Sequence, residues 1–148
     1  MFWGDIRLGG RTDLVFIQNN LTGNSYANEI VLPEVVPYLQ TMGQNPLFQQ
    51  DNAPPHYARV VLSVLKENDI DLLPWPFCSP DLNLIEHMWD TLKRNLLRQK
   101  VFHHEQQLRL AVQGAWNDLG QNVIDNLILS MPRRCQSVIN NRGGPSGY

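Results

Sequence analysis

Apolar and polar positions follow a strand-like pattern in the first half of the chain. Four short apolar runs stand between turn-forming residues, and they are "MFWGDIRLGG", "DLVFIQ", "PLFQQ" and "IDLLPWP". Because Gly9 and Gly10 close the first run just before the second begins, we expect these two runs to form a β-hairpin. Helical stretches separate the later runs. Strands that alternate with helices favour an α/β layer with at least one parallel pair.

Two helices are predicted between these strands. Ser25 is a candidate N-cap for a helix through "YANEIVL". Pro33 is expected to break or kink that helix, because proline lacks an N–H and its ring crowds the preceding turn. The helix could restart with Pro33 at its first position. A second helical period begins at Tyr57 and ends near Asn68.

The pattern after "FCSP" is wholly helical. Apolar residues recur every three or four positions, as in helices that bury one face, and Pro132 is expected to open a last helix. The stripes contain Ile85, Met88, Trp89, Leu92 and Leu96, then Leu108, Ala111, Val112, Ala115, Trp116 and Leu119, then Val123, Leu127, Ile128 and Met131. The predicted fold is therefore α/β with a C-terminal helical cluster, followed by a flexible tail over residues 140–148.

The composition is that of one globular domain, which we expect residues 1–148 to form. The chain is 43% apolar, enough for a core at this length. It has no run of eighteen apolar residues and no signal-peptide pattern at its start, so no membrane association is predicted. Cys78 and Cys135 lack metal-ligand spacing. Reduced thiols are favoured, although the sequence leaves a disulfide between them open.

The net charge of −2 hides an asymmetry along the chain. Residues 1–92 carry four Lys or Arg against eleven Asp or Glu, whereas residues 93–148 carry eight against three. Four of the positive charges are Lys93, Arg94, Arg98 and Lys100, which are candidates for contact with a polyanion such as DNA. The alternative is a solvated helix face, in which Asp90 and Arg94 form an ordinary i,i+4 pair.

Two carboxylates are candidate metal ligands. Asp51 follows an apolar strand, at the end where α/β sheets present binding groups, and Glu86 lies in the first turn of the helix that begins "NLIEHMW". The 34 residues between them hold one helix and one strand, enough to return the chain beside its starting point. Two carboxylates brought together repel unless a cation lies between them, and Mg²⁺ prefers such oxygen ligands. Paired divalent ions support phosphodiester cleavage.

Each of these residues also has a structural interpretation. Glu86 could be the N3 residue of a capping box if Asn83 is the N-cap. Asp51 could form an Asx-turn ahead of the two prolines that follow it. His56 could simply start the next helix, or it could approach the metal site or the DNA. The residues alone leave these alternatives open.

Three segments, "FQQDNAPPH", "LPWPFCSPDLNLIEHMWDTLKR" and "SMPRRCQSVINNRGG", resemble the catalytic domain of mariner-superfamily transposases in the Sleeping Beauty-like branch. The resemblance covers nearly all of the chain. It implies an RNase H-like fold, a mixed sheet flanked by helices, that cuts DNA at element ends and joins it to a target through an acidic triad and Mg²⁺ or Mn²⁺. In this branch 34 residues separate the second and third acids, so Asp51 matches the second and Glu86 the third. The resemblance further implies transposon-end and target DNA and other transposase subunits as partners, and a nuclear location.

The resemblance also has gaps. No residue matches the family's first acid, and the first sheet strand and the helix-turn-helix region that reads element ends are expected to be absent. Asp5 stands where the family has glycine, and Leu84 stands where it often has proline. Whether the chain is an active enzyme is therefore open. We expect a DNA transposase or DDE-type endonuclease domain, as an incomplete copy. The alternative is a non-catalytic module that binds DNA or a transposase, or an inactive remnant.

Overall fold

The structure is a computed structural model, and it describes residues 1–43, 45–97 and 101–147. These residues form two compact units: residues 17–78 with Met1, and residues 2–16 with the chain from Ser79 onward. Each unit contains strands and helices, which confirms the predicted α/β class. That residues 1–148 form one domain stays a prediction. In the ranges that the structure describes, no helix is both long and apolar enough to cross a membrane.

The elements alternate along the first part of the chain and are helical after residue 79. The strands are β1 (Phe2–Trp3), β2 (Ile6–Arg7), β3 (Gly10–Arg11), β4 (Val15–Phe16), β5 (Leu47–Phe48) and β6 (Asp71–Leu72). The helices are α1 (Gly23–Tyr26), a π-helix (Ala27–Val35), α2 (Val36–Gln40), α3 (Arg59–Glu67), α4 (Leu84–Leu97), α5 (Glu105–Asn117), α6 (Gln121–Leu129) and α7 (Met131–Asn140).

The predicted N-cap of the first helix is wrong by three residues. Thr22 is the N-cap, because its Oγ accepts from the Ser25 N–H at 3.1 Å while the Thr22 N–H donates to the Ser25 Oγ at 2.9 Å. Thr22 and Ser25 thus form a capping box in which Ser25 is the N3 residue. A serine that can act at either position is not placed by its residue type alone.

The first helix also continues through Pro33, so the expected restart at that residue does not occur. Helix α1, the π-helix and α2 follow one another without a break from Gly23 to Gln40. The N–H of Val36 donates to the carbonyl of Val31, five residues back. Such wide turns accommodate a residue without an N–H inside a helix, which the sequence pattern did not indicate.

The parallel ladder of the first unit confirms the predicted parallel pair. Leu47 pairs with Asp71 and Phe48 with Leu72, and α3 supplies the crossover between these strands. Helix α1 packs against the start of α3 at Gly23, where an added Cβ would lie 2.2 Å from the Cβ of Ala58. Only glycine fits there. Buried apolar residues of this unit include Tyr26, Ala27, Ile30, Val31, Val35, Leu39, Phe48, Val61 and Leu65.

The predicted N-terminal hairpin is confirmed in the second unit. Strands β1 and β4 form the outer antiparallel pair, and β2 and β3 form the inner one. The hairpin packs on helices α4 and α5 through Trp116, which is 1% exposed and donates from its indole N–H to the Thr12 carbonyl at 3.0 Å. Its core contains Leu14, Leu92, Val112 and Trp116, flanked by Phe2, Ile6, Ile85, Trp89, Leu96, Ala115 and Leu119.

The two long helical stripes are confirmed, with exceptions at their margins. Met88 and Leu92 of α4 are buried, as are Val112 and Trp116 of α5, whereas Leu108 is 37% exposed. In α6 the predicted face is shifted. Val123 is exposed and Ile124 is fully buried, because the helix begins at Gln121 and its short length left the phase of its stripe undefined.

The segment after α7 is held by hydrogen bonds up to residue 146. The Ser137 hydroxyl donates to the Ser146 carbonyl at 2.6 Å, and the Asn141 side-chain amide donates to the Pro145 carbonyl at 2.8 Å. Flexibility of residues 140–148 stays a prediction, and motion would have to break these contacts. Cys78 and Cys135 are both exposed free thiols.

Candidate active site

Asp51 lies three residues beyond the end of β5, in the turn before α3. Its side chain is 44% exposed. The Oδ1 atom accepts from the Ala53 N–H at 3.0 Å, which confirms the predicted Asx-turn, and lies 2.5 Å from Nδ1 of His56. The Oδ2 atom accepts no hydrogen bond within the described ranges. Asp51 can therefore form the Asx-turn and also bind a metal ion, because Oδ1 accepts the turn hydrogen bond and Oδ2 is available to a ligand.

Several contacts within the first unit hold His56 beside Asp51. Its ring packs on Tyr26 with centroids 4.5 Å apart, and its side chain is 18% exposed. Its carbonyl accepts from the side-chain amide of buried Gln50 at 3.0 Å, and Gln50 in turn accepts from the Tyr26 hydroxyl at 3.1 Å. Since a carboxylate only accepts, Nδ1 of His56 carries the proton toward Asp51. A DNA contact by His56 stays a prediction.

Gln50 and Tyr26 are the residues of this site that sequence reasoning missed. A signal was available in the glutamine pair of "FQQD", because a glutamine at the end of an apolar strand needs hydrogen-bond partners when it is buried. Tyr26 was counted only as part of a helix, since nothing in its local pattern points to a partner 24 residues away.

Glu86 is exposed at the third position of α4, and its side chain makes no hydrogen bond or ion pair with any residue that the structure describes. The capping-box interpretation is wrong. The side-chain oxygen of Asn83 is buried and has no hydrogen-bond partner in the described ranges, so it does not accept from the N–H of Glu86. That N–H donates instead to the Asn83 backbone carbonyl at 3.1 Å. The Glu86 carboxylate lies in the first turn of α4 without taking part in a capping box.

The structure places the two candidate acids in different units, Asp51 in the first and Glu86 in the second. Their convergence stays a prediction. No group of three or more His, Cys, Asp or Glu side chains in the described part of the chain is arranged to hold a metal ion. Asp5 is half-buried, and burial raises its pKa from 3.8 to about 6.

The predicted basic surface is described only in part. Lys93 and Arg94 are exposed on α4, whereas Arg98 and Lys100 lie outside the described residues. Arg94 pairs with Asp90 at 3.1 Å, as the i,i+4 spacing predicted. Both side chains are largely exposed, so the pair leaves the Arg94 guanidinium accessible.

Comparison with known proteins gives a family match and a relative aligned over the whole chain. A family described as "DDE superfamily endonuclease" matches residues 4–109. The Tc1 transposase of Caenorhabditis elegans is 37% identical over 149 residues, covering all of this chain and 54% of the relative. The chain spans about half the length of that relative.

Two solved structures share the fold. The Mos1 transposase catalytic domain with raltegravir and Mg gives a TM-score of 0.76 at 17% identity, over 97% of this chain and 82% of that one. The Mos1 paired-end complex with the left transposon end gives 0.75 at 18% identity, over 95% of this chain and 46% of that one. The fold is therefore RNase H-like. With the family match over most of its length and a Tc1 relative aligned over all of it, the chain belongs to the DDE superfamily endonucleases, in the mariner/Tc1 group of transposases.

Proposed function

We propose that this chain is a domain for metal-dependent DNA cleavage and strand transfer, in which Asp51 and Glu86 are two of the metal-binding carboxylates. The observation that carries the proposal is that both acids keep free carboxylate oxygen. Asp51 uses only Oδ1 for its turn and for His56, and Glu86 is free of the capping box that would otherwise explain it. The domain would act on transposon ends and target DNA.

The donor set fits Mg²⁺ or Mn²⁺. Both are hard cations that bind carboxylate oxygens together with water and phosphate. A related fold, the Mos1 catalytic domain, has been solved with raltegravir and Mg. Such an ion would polarise the scissile phosphate and lower the pKa of the attacking group, which is water for cleavage and a DNA 3′ hydroxyl for joining.

The protein's own contribution at Asp51 is orientation. The Ala53 N–H and the His56 ring both bind Oδ1, so the carboxylate plane is fixed from two directions and Oδ2 is the oxygen left for a ligand. An orienting group of this kind strengthens the ligand beyond the atoms that touch the ion. His56 would thus act through Asp51.

The exposed positive charges and the fold support DNA as the proposed partner. Lys93 and Arg94 are exposed on α4 and would contact DNA phosphates. Arg98 and Lys100, which follow in the sequence, would contribute to the same contact. A protein of related fold has been solved in a paired-end complex with a transposon end, which supports DNA and further transposase subunits as partners. Action on chromosomal DNA would place the protein in the nucleus.

Manganese binding tests the two carboxylates directly. We expect Asp51→Asn and Glu86→Gln each to weaken Mn²⁺ binding about tenfold or more, measured by electron paramagnetic resonance of free Mn²⁺. Glu67→Gln is the matched control, because Glu67 is an exposed acid outside the proposed site. Unchanged affinity in both site variants would refute the assignment.

A double variant tests whether the two acids serve the same ion. If they do, Asp51→Asn/Glu86→Gln should lose little more affinity than either single variant, because the shared site is already broken. If the free-energy losses add in full, the acids bind separate ions and do not form one site.

A further inference from the structure

A buried arginine holds both ends of the segment that carries Glu86. Arg134 of α7 is 5% exposed. Its Nη1 lies 3.0 Å from the Asp81 carbonyl and 2.7 Å from Nε2 of His87. Asp81 and His87 bracket residues 82–86, so one guanidinium contacts the chain on either side of the proposed ligand. Its Nε donates to the Ser130 hydroxyl at 2.8 Å, which ties the group to the start of α7.

The direction of these hydrogen bonds follows from the chemistry of arginine. A guanidinium only donates, so Nε2 of His87 must accept from Arg134. The same Nε2 lies 3.1 Å from the Asp81 carbonyl, but with its lone pair turned to the arginine it has no proton for that oxygen. Arg134 is therefore the donor that joins the two ends, through the two N–H groups of Nη1. A lysine has one nitrogen for all three acceptors, so it lacks the separate Nε donor that binds Ser130.

A second contact holds the same segment from the end of the chain. The Ser146 N–H donates to Oδ2 of Asp81 at 2.6 Å. This N–H lowers the pKa of Asp81 below its ordinary value, as expected for a carboxylate that accepts a backbone hydrogen bond. Asp81 is thus fixed at its carbonyl by Arg134 and at its carboxylate by Ser146.

Between these anchors the backbone forms consecutive turns into α4. Three backbone N–H groups donate to the carbonyl three residues earlier, at 3.1–3.3 Å. The pairs are Leu82 to Ser79, Asn83 to Pro80 and Glu86 to Asn83. No described side chain holds Glu86 itself. The position of its carboxylate therefore depends on where the two ends of this segment are held.

We propose that Arg134, assisted by the Ser146 contact, is a positioning residue for Glu86, setting the place and rigidity of residues 82–86. This inference rests on the proposed function for its link to metal binding. Its structural part, that Arg134 holds the segment, stands on the contacts alone. Buried charge is costly unless it is hydrogen-bonded, so loss of these contacts should disturb the segment strongly.

The test combines amide exchange with Mn²⁺ affinity. In Arg134→Lys we expect the Leu82, Asn83 and Glu86 amides to exchange about tenfold faster or more, and Mn²⁺ affinity to fall about tenfold. Amides of α5 around Val112 should keep their wild-type rates, which shows that the core is intact. Arg133→Gln is the matched control, since Arg133 is the exposed neighbour on the same helix.

Deletion of residues 145–148 provides a second variant in case Arg134→Lys fails to fold. It removes the Ser146 contact, leaves Arg134 in place, and should accelerate the same three amides. Wild-type exchange at these amides in a folded variant would overturn the inference. So would faster exchange with unchanged Mn²⁺ affinity while Glu86→Gln weakens binding. Wild-type affinity in Glu86→Gln would instead remove Glu86 from the proposed metal site, and the exchange rates would then decide whether Arg134 holds the segment.

Discussion

Asp51 and Glu86 are supported in opposite ways. The partners of the Asp51 carboxylate are Ala53 and His56, two and five residues along the chain. The segment that carries Glu86 is held through Asp81 by Arg134 and Ser146, 53 and 65 residues away. Asp51 is positioned by a rigid local turn, whereas the position of Glu86 depends on the assembly of the helical cluster. Damage to that cluster should therefore affect Glu86 and spare the Asp51 turn.

The largest predicted effect comes from Trp116, the centre of the second unit's core. Trp116→Ala removes a ring that stacks on Trp89 at 5.4 Å and bonds to the hairpin, so we expect a loss of about 3–5 kcal/mol in unfolding free energy. Urea denaturation measures this loss. Leu110→Ala on the same helix is the control, since Leu110 is 68% exposed.

The same variant tests the contrast between the two acids. Amide exchange at the start of α4 should rise in Trp116→Ala, while the Ala53 amide, bonded to Asp51, should keep its protection. Equal acceleration at both places would show that the local turn is not independent of the helical cluster.

A pH-dependent effect is expected at Asp5 of the hairpin. Burial raises the pKa of Asp5 from 3.8 to about 6, so the folded state binds the proton more tightly than the unfolded state. The stability of the wild type should fall as pH rises from about 4 to 7 and stay low above that range. Asp5→Asn keeps an acceptor for the Ile6 N–H but carries no charge.

This substitution should therefore stabilise the protein by about 2–3 kcal/mol at pH 8 and by almost nothing at pH 4. Thermal unfolding at the two pH values measures the difference. Asp13→Asn is the control, because Asp13 is an exposed acid of the same hairpin. A gain of equal size at both pH values would rule out a titration effect.

Features with local causes were predictable from the sequence. Two short apolar runs and the Gly9-Gly10 turn predicted the hairpin, and the helical period predicted the buried faces of α4 and α5. Residue order predicted the Asx-turn at Asp51. The positions of Asp51 and Glu86 made them candidates, and the resemblance supplied the family and matched them to its second and third acids. The missed features depend on distant partners. Neither the Arg134 contacts nor the π-helix through Pro33 leaves a periodic pattern, and the phase of α6 was undefined over nine residues.

A smaller effect is expected from the hydrogen bonds behind His56. Tyr26→Phe removes the hydroxyl that donates to buried Gln50, and an acceptor left without its partner costs about 1–2 kcal/mol. Urea denaturation should show this loss, with Tyr57→Phe as the control because Tyr57 is 40% exposed. If Tyr26→Phe is as stable as the wild type, the contacts that orient His56 contribute little to the Asp51 turn.

The smallest effect concerns the exposed charges of α4, and it tests whether the helical cluster also meets DNA. Each phosphate neutralised by a lysine or arginine contributes about −0.9 to the slope of log affinity against log salt. Binding through the four basic residues between positions 93 and 100 would give a slope of roughly −2 to −4. Lys93→Gln/Arg94→Gln should make that slope shallower by about 1–2 for any duplex sequence, because phosphate contacts carry no base information.

The control is Arg59→Gln, which should leave the slope unchanged, because Arg59 is an exposed arginine of the first unit. A double variant with the wild-type slope would remove this face of α4 from the proposed DNA surface. An equal change in Arg59→Gln would show that DNA responds to overall charge rather than to this helix.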